Sequence, residues 1–174
     1  SVRKSHDNHI MEQARSEIEN FAARLDAHVK LRISLGALIG EEWRNGLISD
    51  VNTFRFHAAT KLNYFNDLQA INWVDPEGVI RWVNPIEGNA AALNLDLRRL
   101  KIPAEILAMS EQKKAVQITP PITLAQGGRG FVGYMPMFMD GALKGFINIV
   151  FRTAPMITNA LPKNFSTRMH IRLT

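Results

Sequence analysis

Apolar residues near the start of the chain return at steps of three and four. Met11, Ala14, Ile18, Phe21, Leu25 and Val29 form this series, and no proline falls between residues 8 and 39. That is the period of an amphipathic helix. Further along, Leu31, Ile33, Leu35, Leu38 and Ile39 point in several directions rather than along one stripe. The end of this helix is therefore expected to be buried more completely than its beginning. At 1.5 Å per residue, roughly 30 residues reach about 45 Å, longer than the body of a domain this size. The helix should start as a stalk and finish inside the domain. An apolar stripe through Met11, Ile18, Leu25 and Val29 needs a partner helix, so a homodimer through the N-terminal helix is expected. Gly40 and Gly46 interrupt the pattern, and Val51, Phe54, Ala58, Leu62 and Phe65 restart it as a second helix, with Ser49 or Asp50 as N-cap.

After Phe65 the pattern shortens. Residues 68–74 and 79–83 are compact apolar or aromatic runs separated by Asp75-Pro76-Glu77-Gly78, in which proline presets φ and glycine tolerates positive φ. These predict a β-hairpin. Residues 103–115 read as a short helix opened by proline at a permitted first-turn position, and residues 116–118 as a strand. Pro120-Pro121 and Gly127-Gly128-Arg129-Gly130 mark turns, and Asp140-Gly141 joins residues 131–138 to 143–152 as a second hairpin. A short helix over 156–161 follows, then a strand over the alternating 169–173. Strands in hairpins with segregated helices give an α+β domain: a long N-terminal helix packed on a central antiparallel sheet with short covering helices. We divide the single domain 1–174 into a stalk, 1–48, and an α/β body, 49–174.

Composition narrows the classes. The chain has 174 residues, 46% of them hydrophobic, and no cysteine. Disorder and disulfide scaffolds are excluded, as is a thiolate zinc site. No apolar run is long enough to span a membrane. The chain begins at Ser1 and stops just past a strand-like alternation, so it reads as a piece of a longer protein. With 21 basic and 16 acidic residues the formal charge is +5, concentrated in the last third. The basic residues are scattered, however, and no nucleic-acid motif accompanies them, so nucleic acid is not an expected partner.

Candidate chemistry is sparse. No serine sits in a Gly-x-Ser-x-Gly elbow. His6 and His9, with Glu12 and Glu17 nearby, have a metal-like spacing but lie at an exposed helix start, and no metal or cofactor is expected. Gly127-Gly128-Arg129-Gly130 offers backbone N–H groups to an anion but lacks the ending of a P-loop. Asp75 and Glu77 are better placed to cap a turn than to move protons. No catalytic constellation emerges. Polar residues set among apolar ones on strands remain: Trp73, Trp82, Asn84, Tyr134, Phe138 and Asn148 are candidates to line a cavity, since ligand pockets join aromatic walls to a few polar groups. With Arg129 and Phe131 from the glycine-rich turn and the strand after it, the ligand-binding candidates are Trp82, Asn84, Arg129, Phe131, Tyr134 and Asn148.

The stretch from Leu68 to Pro85, followed by Glu87-Gly88-Asn89, resembles the CHASE-type and PAS-like (Cache-like) extracytoplasmic sensor domains of bacterial histidine kinases and diguanylate cyclases. Pro121-Ile122-Thr123-Leu124, Gln126 to Phe131, Pro136-Met137-Phe138, Gly141 and Gly145-Phe146 are similar to the family's paired central strands. With the long leading helix, the resemblance covers most of the chain. It implies a PAS-like sheet, a transmembrane helix on either side in the full-length protein, and a periplasmic domain of an inner-membrane receptor. Such a domain binds an unknown small molecule and relays the change through the long helix to a cytoplasmic catalytic domain, without being an enzyme itself. The alternative is an interaction or dimerisation module that senses a periplasmic protein.

Overall fold

A computed structural model describes residues 2–164 of the chain. Helix α1 (Val2–Arg44) runs through Gly40 without a break and ends before Gly46, which has a φ of +76°. Helix α2 (Val51–Leu62) begins at the expected cap. The Asp50 carboxylate accepts from the Thr53 N–H at 2.8 Å, and the Thr53 hydroxyl accepts from the Asp50 N–H at 3.1 Å. These reciprocal bonds satisfy donors that a helix start leaves free. Strands β1 (Leu68–Val74) and β2 (Ile80–Asn84) form the first hairpin. Its turn is closed by Asp75, which accepts from the Val79 N–H at 2.9 Å and from Arg81 at 2.6 Å. Asp75 therefore caps backbone, as expected from its position.

Two short 3-10 segments lead to α3 (Lys101–Lys113), β3 (Gln117–Ile118) and β4 (Ile122–Thr123). The long hairpin β5 (Arg129–Met139) and β6 (Ala142–Arg152) and helix α4 (Thr153–Ala160) complete the described chain. The strand expected over 169–173 lies outside the described residues. The pattern did not predict β4, because two residues after a double proline carry too little alternation to register. It also carried the second helix to Phe65, three residues beyond its end.

The sheet is antiparallel, in the order β2-β1-β6-β5-β3, with β4 also paired to β5. Both hairpins meet at its centre, where β1 lies beside β6. Each face carries its own core. On one, Ile71, Trp73, Ile147, Ile149 and Phe151 pack against Ile39 of α1, Phe54 and Ala58 of α2 and Met156 of α4. On the other, Val74, Val132, Phe146 and Val150 pack against Leu107 of α3 and against Ala92, Leu97 and Leu124 from the connecting segments.

Helix α1 divides as its sequence predicts. Met11 is 71% exposed and Ile18 68%, whereas Ile39 is fully buried. Between them Leu25, Val29 and Ile33 pack on the helix-side core. Close approach depends on Gly36, where a Cβ would stand 3.0 Å from Ile149 and 3.2 Å from Met135. A buried ion pair fastens the helix. Arg32 donates to both oxygens of Asp67, at 3.0 and 2.6 Å, and its guanidinium lies 4.4 Å over the Phe65 ring. Asn159 of α4 donates to the same carboxylate at 2.7 Å, so one charge ties α1, the entrance to β1 and α4.

Candidate ligand-binding site

Strand register decides which side chains share a surface. Tyr134 on β5 stands opposite Asn148 on β6, Asn148 opposite Asn72 on β1, and Asn72 opposite Val83 on β2. Directly paired residues lie on one face. A polar row therefore crosses the middle of an otherwise apolar surface. Above it, α3, the segment around Leu95 and Leu97, and the β4 flap (119–128) border a partly open cavity of about 60 Å³. By the room one water needs, that is space for roughly four to six.

Hydrogen bonding sets this row apart. Asn72 is fully buried and Asn148 2% exposed. The Asn72 Oδ1 accepts from the Asn84 N–H at 3.3 Å, which fixes the amide's orientation, and its Nδ2 has no partner. The Asn148 Oδ1 has none either. Unpaired buried amides are costly and few in native proteins. Tyr134 completes the row, and burial alone raises its phenol above the usual value of 10, with no hydrogen bond contributing. Thr123 and Gln126 add polar groups from the flap. Its tip is a glycine turn, with Gly127 at φ +94° and Gly128 at +77°. The Gly127 N–H is used within the turn, donating to the Leu124 carbonyl at 2.9 Å, so it shapes the flap and is not free for an anion.

The six ligand-binding candidates from the sequence separate. Tyr134 and Asn148 line the cavity. Trp82, Asn84 and Phe131 lie on the opposite face of the sheet. Trp82 stacks on Trp43 of α1 at 5.3 Å, and Phe131 stacks on Phe151 at 4.5 Å. Asn84, opposite Ile71, shares that helix side, and its Nδ2 is also unpaired. Arg129 is exposed at the flap base, donating to the Pro121 carbonyl at 3.4 Å. The register thus divides the six: Asn72 and Val83 lie on the cavity side of the sheet, while their neighbours face the helices. A shift of register beside Val74 also puts Ile80, opposite Val74, on the cavity face, although it stands two residues from Trp82. Of the other two cavity candidates, Trp73 also faces the helices and Phe138 lies beneath Lys114, 5.4 Å away. Sequence reasoning missed Asn72. An amide at the centre of Leu68-Gln69-Ala70-Ile71-Asn72-Trp73-Val74, a strand buried on both faces, was the signal.

A larger groove, about 490 Å³, opens on the surface between Tyr64, Gln69 and Arg152. Part of its polar lining is already engaged, since Arg152 donates to Gln69 at 2.6 Å and Gln69 to Asn89 at 3.0 Å, and its Asn63 and Tyr64 are exposed to water. The smaller cavity has the unmet hydrogen-bonding groups, and it is the better candidate. Among the described residues no group of three or more His, Asp or Glu is placed to hold a metal, and no helix is long and apolar enough to cross a membrane.

A long N-terminal helix on an antiparallel sheet of six strands with short helices matches the fold of extracellular Cache/PAS-like sensor domains. The family model "CHASE domain" matches residues 12–174, and the chain belongs to that family, whose members are sensory input domains, extracellular in their receptors and not catalytic in themselves. No curated protein sequence matches. Several solved structures share the fold. An extracellular ligand binding receptor from Desulfohalobium retbaense DSM5692 aligns over 83% of this chain and 26% of its own, with TM-score 0.66 and 17% identity. The ligand-binding domain of the Pseudomonas aeruginosa PAO1 amino acid chemoreceptor PctC, in complex with GABA, aligns over 93% and 67%, with TM-score 0.61 and 16% identity. The V. cholerae histidine kinase DctB sensor domain aligns over 90% and 61%, with TM-score 0.64 and 10% identity. The chain thus spans about a quarter of the first of these and under or near two thirds of the others.

Proposed function

We propose that this chain is the periplasmic input domain of an inner-membrane receptor of the histidine kinase or diguanylate cyclase type, and that its small-molecule ligand binds between the sheet and the β4 flap. The observation that carries this reading is the row Asn72, Asn148 and Tyr134, which places an unpaired donor and an unpaired acceptor beside a partly open void. A bound molecule supplies what these groups lack, and the site binds most tightly in whichever sheet geometry supplies it best. A ligand shifts a conformational equilibrium only by such differential affinity. The route outward is short. Asn72 is followed in β1 by Trp73, whose ring lies 4.2 Å from that of Trp43 near the end of α1. A change in β1 therefore acts on the stalk helix. Exposed Ile10, Met11 and Ile18 on the free half of α1 support a homodimer in which two stalks pair and carry the change inward.

The test is a thermal-shift screen of this chain against amino acids, carboxylates, polyamines, nucleobases and uncharged amides. A ligand at 100 times its dissociation constant stabilises the folded state by about 2.7 kcal/mol. For a domain of this size that is an increase of about 5–10 °C in Tm. The expected result is a compound that raises the Tm of the chain and not that of Asn148→Leu. Stabilisation by a compound that persists unchanged in Asn148→Leu moves the site elsewhere. Capture of a periplasmic protein by a chain that responds to no small molecule replaces this reading with a partner-sensing one.

A further inference from the structure

Among the described residues, the cavity wall carries polar groups but no formal charge: its polar residues are Asn72, Asn148, Tyr134, Thr123 and Gln126, and no Asp, Glu, Lys, Arg or His contributes to it. Of the charges next to wall residues along the chain, Arg81 pairs with Asp75 at 2.6 Å and Lys101 is exposed. Asp96, between the wall residues Leu95 and Leu97, accepts from the Arg98 N–H at 3.0 Å and pairs with Arg99 at 3.1 Å. Arg129, at the base of the flap, is exposed and donates to the Pro121 carbonyl. Tyr134 is a neutral phenol, and burial raises its pKa above the usual 10.

We infer that the ligand of this cavity is an uncharged molecule carrying a hydrogen-bond acceptor and a donor side by side on one edge, as a lactam or carboxamide does. The inference rests on the sensing function proposed above and adds the chemical class. Asn72 presents a donor because its oxygen is already held by the Asn84 N–H. Asn148, one strand away and directly opposite, leaves a buried Oδ1 unpaired, an acceptor in this orientation of its amide. A planar amide edge matches this pair, its carbonyl accepting from Asn72 and its N–H donating to Asn148. The remainder of such a molecule meets Ile80, Leu97, Val132 and Val150, an apolar surround. An amino acid meets different terms. Its ammonium and carboxylate must both leave water, and ions removed from water need an opposite charge or a full set of hydrogen bonds. This wall supplies no opposite charge. The chain therefore departs in ligand class from the fold relative solved with GABA.

Two probes isolate the charge. 2-Pyrrolidone and 4-aminobutyrate share one carbon and nitrogen skeleton; the lactam is neutral and the open form a zwitterion. Each is titrated into isotope-labelled chain while the side-chain amide NMR signals of Asn72 and Asn148 are followed. The lactam is expected to shift both signals saturably, and 4-aminobutyrate to bind about a hundredfold or more weakly, the scale set by a buried charge left without a partner. Asn148→Leu should abolish the lactam's effect without lowering the Tm. Tighter binding of 4-aminobutyrate or L-isoleucine through the same signals overturns the proposed class and leaves the sensing cavity standing. Silence of both signals toward the lactam and the zwitterions, up to about 100 mM, overturns the class and the cavity reading together.

Discussion

The two faces of the sheet are built to different rules. The helix side is closed by large rings and a buried charge. Trp43, Trp73, Trp82 and Phe54 form a continuous aromatic contact, and the Arg32–Asp67 pair is bidentate and further bonded by Asn159. Its unpaired groups are scattered: Asn84 sits at the end of an edge strand, His28 Nδ1 on α1 and Thr153 Oγ1 at the start of α4. The cavity side has two adjoining orphans, Asn72 and Asn148, at the centre of the sheet, beneath a flap of two-residue pairing and glycine turns. A polar side chain left without a partner in a strand that is otherwise apolar does not stabilise the fold. The difference locates structural strength on one side and recognition on the other. Substitutions on the two faces should therefore differ in size and, at the smallest, in sign.

The largest effect is expected at Asp67. Asp67→Ala leaves the Arg32 guanidinium buried without its counter-charge, and breaking such a pair costs about 3–5 kcal/mol. Urea denaturation of the chain and the variant measures it; a loss under 1 kcal/mol would mean the pair is solvated in solution. The same carboxylate predicts an acid limit. Burial pushes the Asp67 pKa up, but the hydrogen bonds from Arg32 and Asn159 and the Arg32 charge outweigh it, and the net pKa is lowered below 3.8. The contribution of the pair is thus complete above about pH 4 and is lost as the pH falls through the lowered value. Asp67→Ala should remove that acid dependence. Next in size is Gly36→Leu. It fills the space that Ile149 and Met135 occupy, and overpacking of this kind costs typically about 1–3 kcal/mol. Tryptophan fluorescence should also change, since the helix that it lifts carries Trp43.

The helix side was largely legible in the sequence, and the cavity side was not. A period of three to four residues with a late spread of Ile33, Leu35 and Ile39 is a direct consequence of a helix that enters a core, so α1 and its change of exposure could be read in advance. Hairpins announce themselves through Asp-Pro-Glu-Gly and Asp-Gly turns. A site needs more than elements, because it depends on which strands become neighbours and in what register. Tyr134 and Asn148 were recognised as polar residues in apolar strands, but joining them to Asn72 required the β1–β6 pairing, a contact between residues far apart in the chain. One step of register separates Asn72 from Trp73, and likewise Val83 from Trp82 and Asn84. That step sent Trp82, Asn84 and Phe131 to the helices. The β4 flap escaped notice because two-residue strands have no period.

A third experiment tests the cavity face through its phenol. Burial raises the Tyr134 pKa above 10, so the folded chain holds this proton more tightly than the unfolded chain does. Stability should therefore fall as the pH rises past about 10, by about 1.4 kcal/mol per pH unit until the folded group ionises. Tyr134→Phe removes this slope. At neutral pH the same substitution should cost little, because no hydrogen bond supports the hydroxyl. An unchanged alkaline slope in the variant would show that Tyr134 is reached by water and that the cavity is open.

The smallest effect is the most informative about the contrast between the faces. Asn148→Leu replaces an amide with a side chain of similar volume at a position 2% exposed, where Oδ1 has no partner. If the amide were structural, its loss would cost about 1–3 kcal/mol, as removing a bonded buried group does. If it is kept for a ligand, the apolar replacement removes a desolvation penalty and fills the same space, so stability should stay within about 0.5 kcal/mol or rise. A chain that is as stable or more stable without Asn148, and that no longer responds to the compound it binds, trades fold stability for recognition at that position. A clear loss of stability would make Asn148 part of an asparagine ladder across β1 and β6, and the two faces would then differ only in how tightly they are packed.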